Sequence, residues 1–312
     1  MAIKQIHELE FKGTLTSLVY GQKGIGKTTL ALSSDPNSLL VDTDNGVDRV
    51  NVEHLYNADY IQVKSYAEVV SDLEQHSSKY STIIIDTLGK LLDFMIEDTR
   101  SESPKNCNTQ GGLSIMGWGV LNTKFKNFCR NVRLSGKNLL FVAHEVVEKN
   151  GDVNKKVPDI RASNYSLLAS ELDLIGYMEC KGNDRTISFM LSENHDSKNT
   201  GGFDEVIKIP QLKAGQLNNF FKENVVHKHF ANVMNKVSTQ RKIISTFAEV
   251  DSKVSQIVDV ESANRICKEI QAMEHIGTSK EYARVKVTEK IRQLGLKFNK
   301  EMGLYEVNTG GN

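Results

Sequence analysis

Between Thr14 and His144, short apolar runs alternate with stretches whose apolar positions recur every three to four residues. The runs "TLTSLVY" (Thr14–Tyr20), "SLLVDTD" (Ser38–Asp44), "DYIQV" (Asp59–Val63), "STIIIDT" (Ser81–Thr87) and "NLLFVAH" (Asn138–His144) read as strands. Helical patterns lie between them, at Lys27–Leu32, Tyr66–His76, Leu88–Thr99 and Gly119–Leu134. In the last, Leu121, Phe125, Phe128 and Val132 share one face. Strands that are apolar throughout and separated by helices predict a parallel sheet covered on both sides.

After His144 the pattern changes. The polar stretch "EVVEKNGDVNKKVPDIRASNYS" shows little periodicity and reads as a long loop. "ELDLIGYMEC" and "RTISFMLSEN", joined by "KGND", read as a hairpin. A short strand "DEVIKIP" follows, and the sequence turns helical from Gln216. Beyond Ser238 it is mostly helical and charged. Ile243, Ile244, Phe247 and Val250 form one apolar patch, and Ala263, Ile266, Ile270 and Met273 form another. Tyr282, Val285, Ile291 and Leu294 are expected to face a core. The expectation is a mainly parallel α/β core over residues 1–230, a helical domain over 231–306 and a disordered tail over 307–312.

Composition narrows the partners. Lysine plus arginine equals aspartate plus glutamate at 39 each, so any contact with nucleic acid must come from local patches. The four cysteines are too widely spaced for a zinc knuckle or a redox pair, and Cys129 falls on an apolar helical face. No apolar run is long enough to span a bilayer and the N-terminal stretch has no apolar signal core. A soluble, cytoplasmic chain without membrane partners is the expectation.

The candidate chemistry begins at "LVYGQKGIGKTTLAL" (Leu18–Leu32). Gly21, Gln22, Lys23, Gly24, Ile25, Gly26, Lys27 and Thr28 give the G-x-x-x-x-G-K-[ST] spacing between a strand and a helix, with Thr29 following. Glycines let the backbone wrap a polyphosphate with its N–H groups turned inward, and the helix N-terminus adds its dipole. Lys27 suits the β- and γ-phosphates of ATP, and the Thr28 hydroxyl suits Mg2+. Asp86, ending an apolar strand, suits the second magnesium carboxylate. A cap for the next helix is the lesser alternative for it. Thr87 follows it, so a water-activating carboxylate must come from elsewhere. Asp42 and Asp44, ending the strand after the P-loop helix, are placed to supply one; Asp44 also fits a turn former in "TDNG".

"VDTDNGVDR" resembles the segment of RecA-type recombinases that carries their catalytic glutamate, and aligning on the strand puts Asp44 at that place, one methylene shorter. "NLLFVAHE" is similar to their sensor strand, which puts His144 at the polar residue that feels the γ-phosphate. "HDSKNTGG" is similar to the segment whose basic residue reaches a neighbouring subunit's nucleotide, which puts Lys198 there and Thr200 where a second basic residue is usual. Over Leu15–Pro210 the chain resembles phage members of the RecA superfamily, in particular the Sak-type ATP-dependent single-strand annealing proteins. The resemblance implies a RecA-like fold, slow DNA-linked ATP hydrolysis with Mg2+ and a homo-oligomer with ATP at subunit interfaces. It also implies annealing or strand exchange on single-stranded DNA, a single-strand binding protein as a further partner, and a bacterial host. DNA would meet two loops. One is "SESPKNCNTQGGLSIMGWG" with Trp118, which also fits a core anchor. The other follows His144, with Lys149, Lys155, Lys156 and Arg161. The basic helix "KEYARVKVTEKIRQLGLKFNK" is a further candidate, or a solvated face. A replicative helicase-like or loader ATPase, and a nucleotide-gated DNA-binding oligomer with little hydrolysis, are the alternatives. A small-molecule kinase would need a lid with paired arginines, and "NKKVPDIR" offers only Arg161.

Overall fold

The computed structural model describes residues 13–51, 54, 58–150, 153–160, 168–212 and 215–308. The described residues divide into two compact units, residues 13–232 and residues 233–308.

In the first unit, β1 (Thr16–Gly21) leads into α1 (Lys27–Leu32), followed by β2 (Ser38–Asp42), β3 (Asp59–Gln62), α2 (Tyr66–His76), β4 (Thr82–Asp86), α3 (Leu88–Glu102) and α4 (Ile115–Leu134). Next come β5 (Asn138–Asn150), β6 (Val153–Pro158), β7 (Leu174–Lys181), β8 (Asp184–Ser188), β9 (Lys198–Asn199) and β10 (Ile207–Ile209). The sheet runs β10-β8-β7-β1-β5-β4-β2-β3, with β6 on β5 and β9 on β7. From β7 to β3 every pairing on that path is parallel, and β8, β9 and β10 join antiparallel. The strand that carries His144, β5, therefore separates the P-loop strand from the strand ending in Asp86. This mainly parallel sheet, covered by helices on both sides, is the α/β class expected from the apolar runs.

β1, β2 and β4 are buried at every position because helices cover both sides of the sheet. On one side Leu18, Val41, Ile83, Ile85 and Phe141 pack with Leu91, Met95, Leu121 and Phe125 of α3 and α4. On the other side Val19, Leu40, Ile84 and Val142 pack with Leu30 and Ala31 of α1 and with Phe221 and Val225. Alternate residues of one strand thus serve opposite cores. Helix starts follow local chemistry: Ser65, Thr87 and Ser114 each accept a backbone N–H three residues on.

Two expectations for this first unit need correction. The long polar loop after His144 is largely a β-ribbon: β5 continues to Asn150 and pairs with β6 from Glu145↔Pro158 to Asn150↔Val153. The "GD" between the paired Asn150 and Val153 is a two-residue hairpin signal that could have found it. The loop before α4 is also tighter than expected. Asn106 is buried and holds the Thr99 carbonyl, and Trp118 lies in α4 with its ring against the core, so it is helical rather than on a mobile loop.

α5 (His227–Ser255) runs across the division between the units. The second unit adds α6 (Val260–Ala272), α7 (Ser279–Gln293) and a hairpin of β11 (Leu296–Asn299) with β12 (Leu304–Val307). Its core joins Val250, Ile257, Ala263, Ile266, Ile270 and Ile291, with Tyr282 and Leu294 packed against it. Val285, expected to be inside, is exposed. The hairpin corrects the purely helical expectation, and it takes in Val307, which had been expected in the tail; residues 309–312 lie outside the described residues. The cysteines described here are all free, and Cys129 is buried in the core.

Candidate functional site

The site lies at the C-terminal ends of β1, β2 and β4, beside His144 within β5, where an open α/β sheet offers a crevice. The P-loop between β1 and α1 depends on glycine at defined points. Gly24 and Gly26 have φ of 77° and 95°, in the left-handed region. A Cβ at Gly21 would stand 2.3 Å from the Met178 carbonyl oxygen, so the loop leaves the sheet where no side chain fits.

Lys27 is almost fully buried and donates to the Gly21 and Gln22 carbonyls at 3.0 and 2.6 Å, which aims its ammonium along the loop. Burial lowers its pKa to about 8, against the pull of Asp86, Glu145 and Asp44. The Thr28 hydroxyl donates to Asp86 Oδ2 at 2.5 Å. Asp86 is 8% exposed, and burial raises its pKa to about 6 although the Thr28 bond opposes the rise. A buried carboxylate beside a hydroxyl and a glycine-rich loop fits a hard cation bound through oxygen. Among the described residues no group of three or more His, Cys, Asp or Glu could hold a metal, so the other ligands would be waters and phosphate oxygens, the usual arrangement for magnesium. The strand-end threonines brace this carboxylate: Thr43 N donates to the Asp86 carbonyl, and Thr87 N to Thr43 Oγ1. Thr87 also caps α3, so the carboxylate is spared the capping role.

The two aspartates after β2 divide their work. Asp42, 1% exposed, accepts from Gly46 N at 2.9 Å, Val47 N at 3.1 Å and Gln62 Nε2 at 3.3 Å, which folds the "TDNGV" turn over its own carboxylate. Asp44 is thereby turned into the cleft, 3.6 Å from Arg49 Nη2. Asn45, which follows Asp44, has a φ of 55°, which asparagine tolerates well. His144 lines the same cleft, level with Gly21 across β1–β5. Its Nδ1 is buried with no hydrogen-bond partner, and its pKa is lowered first by burial, then by the Lys27 and Lys23 ammonium groups.

Lys27, Thr28, Asp44, Asp86 and His144, scattered over the sequence, thus meet in one cleft of about 1050 Å3, together with Lys23, Gly24, Gly26 and Thr29. Gln22 and Ile25 serve it through their carbonyls, which accept from Lys27 and from Arg185. Arg185 is a residue the sequence reasoning missed: its Nε donates to Ile25 O at 2.9 Å from the far strand β8. Nothing local to "NDRTIS" signals that contact, which the sheet order alone creates.

Other expected residues lie elsewhere. Lys198 pairs with Ile175 near the start of β7, and its Nζ donates to the Ala169 carbonyl at 2.9 Å; it does not line this cleft. Lys149 is exposed on β5. Lys155 pairs with Asp196. Lys156 donates to Tyr177 Oη at 2.7 Å and lies 3.8 Å from Glu179. Arg161 lies outside the described residues. No helix among the described residues is long and apolar enough to cross a membrane.

Comparison with known proteins adds a family. The AAA_24 family model, described as an AAA domain, matches residues 14–200, more than half of the chain. No curated protein matches. Among solved structures, the chain is similar to the flagellar accessory protein FlaH from Methanocaldococcus jannaschii, at 12% identity and a TM-score of 0.38. That likeness covers 62% of this chain and 84% of the other.

Proposed function

The chain belongs to the AAA_24 family of AAA domains, and from that premise we propose that it is a magnesium-dependent ATPase whose nucleotide state governs its hold on single-stranded DNA, serving annealing or strand exchange in phage recombination. One observation carries the ATPase reading: Thr28 Oγ1 and Asp86 Oδ2 meet at 2.5 Å beside a P-loop whose lysine is already aimed along the loop. Lys27 and the loop amides bind the phosphates. Thr28 and Asp86 would hold Mg2+, which supplies positive charge to the phosphate oxygens where negative charge develops. Asp44 orients the attacking water and accepts its proton. His144, with an unpartnered ring nitrogen in the cleft, is the group that feels the terminal phosphate.

The DNA part is supported by continuity. β5 carries His144 at the cleft and Lys149 on the exposed ribbon beyond it, so a shift at the nucleotide reaches the ribbon through one strand. A homo-oligomer with ATP between subunits belongs to this reading, with Lys198 leaving the Ala169 carbonyl to reach a neighbour's nucleotide. A single-strand binding protein is the further partner expected.

ATP turnover with no DNA, single-stranded DNA and duplex DNA tests it. Stimulation by single strands alone is expected. Turnover indifferent to all DNA overturns the DNA part, and absence of magnesium-aided triphosphate binding overturns the whole. ATP-driven assembly without turnover would favour a nucleotide-gated oligomer, for which the Arg49 pairing of Asp44 is the structural support.

A further inference from the structure

We infer that Asn218 reads the base of the bound nucleotide and selects adenine over guanine. The inference rests on the reading of the cleft as a triphosphate site and names what holds the nucleoside there.

The cleft has two unlike ends. On the side of β2, β4 and β5 it is lined by Asp44, Asp86, Asp93 and Asp159. On the side of β8 and β10 it is lined by Ile209, Pro210, Leu212 and Phe220. The magnesium carboxylate belongs beside the β- and γ-phosphates. A triphosphate therefore points its terminal phosphate at the acidic end and its base at the apolar end, where flat hydrophobic walls suit a nucleobase.

That apolar end is fastened to the P-loop from two directions. Ile209 pairs with Arg185 across β10–β8, and Arg185 Nε holds the Ile25 carbonyl. On the opposite wall, Phe221 N donates to Ser33 Oγ at 3.0 Å and Lys222 N to the Ser33 carbonyl at 2.9 Å, pinning the segment with Asn218 and Phe220 to the end of α1.

Asn218 is held in one orientation. Its Nδ2 donates to the Thr29 carbonyl at 3.0 Å. A carbonyl oxygen only accepts, so the amide nitrogen must face it and the amide oxygen is directed away. Oδ1 and the second amide hydrogen take no partner among the described residues. An acceptor beside a donor matches adenine, which offers the N6 amine beside N7. Guanine offers O6 and N7, two acceptors, and sets oxygen against oxygen.

The test titrates the full chain with the magnesium complexes of ATP, GTP and inorganic tripolyphosphate, alongside Asn218→Ala and the similarly sized Asn218→Leu. The wild type is expected to hold ATP about tenfold more tightly than GTP. Asn218→Ala brings ATP to the level of GTP and leaves tripolyphosphate unchanged, which shows that fold and phosphate site persist. Asn218→Leu, with neither donor nor acceptor, loses the preference as well and decides the matter if the alanine variant fails to fold. An unchanged ATP-to-GTP ratio in the variants, or a wild type that binds tripolyphosphate without preferring either base, overturns the inference and leaves the ATPase reading standing. A wild type that binds none of the three overturns both.

Discussion

Thr28 donates its hydroxyl to Asp86 at 2.5 Å across 58 positions of sequence, joining the first turn of α1 to the end of β4. Each of those strand ends would be unremarkable alone. Brought together over a lysine that burial has made a weaker base, they form a phosphate site in which both the acid and the base are pushed toward neutrality.

Asp86 should make metal-free stability fall with rising pH. Its folded pKa of about 6 lies above the ordinary 3.8, so between those values the folded chain binds more protons than the unfolded one. The contribution is full below pH 3.8 and is lost as pH rises through 6, a difference of roughly 3 kcal/mol at pH 7. Urea unfolding of the first unit's transition from pH 4 to 7, without magnesium, should show this slope in the wild type. Asp86→Asn should flatten it, and an unaltered slope would refute the assignment.

Lys27 sets the opposite limit for ligand binding. Phosphates need the ammonium form, and with a pKa of about 8 that form is lost as pH rises past 8. Triphosphate affinity measured by calorimetry should be level from pH 7 to 8 and then weaken by up to about tenfold for each further pH unit, until the pKa of the bound lysine is reached. Lys27→Ala should bind too weakly to give a profile.

Asp42 and Asp44 should separate stability from chemistry. Asp42→Ala strands the Gly46 and Val47 amides and should cost about 3 kcal/mol in denaturant titrations. Asp44→Asn, at the cleft, should leave the unfolding midpoint within about 0.5 kcal/mol and lower turnover at least about 100-fold. Equal stability losses in both variants would show that the two carboxylates are not divided as described.

Tyr20 links the P-loop strand to the ribbon. Its hydroxyl donates to the Asp196 carbonyl at 2.6 Å and lies 3.1 Å from the Lys156 carbonyl. Tyr20→Phe should cost about 1 kcal/mol and speed amide exchange in β6 more than in β4. Exchange in β6 no faster in Tyr20→Phe than in the wild type would mean that the ribbon is held by other contacts.

Much of the fold was legible in the sequence because burial on both faces leaves a local mark. The apolar runs found β1, β2 and β4 to within a residue or two at each end, and the period of Leu121, Phe125, Phe128 and Val132 found the buried side of α4. The glycine spacing found the P-loop because left-handed backbone at Gly24 and Gly26 leaves few residue choices. The ribbon beyond His144 was misread as a loop because its pairing stabilises polar residues on exposed strands, without the apolar pattern that burial imposes. Trp118 was open to two readings because a lone aromatic carries no sign of what it packs against.

The sequence by itself determined the elements and the phosphate-binding loop, since both depend on residues within a few positions of one another. Only the tertiary structure decided which of Asp42 and Asp44 faces the cleft, that Arg185 and Asn218 grip the P-loop and its helix, and that Lys155 and Lys156 are occupied by Asp196 and Tyr177. Those outcomes depend on strand order and on partners tens of residues away or more, and a side chain's neighbours across a sheet leave no periodicity in the chain that carries it.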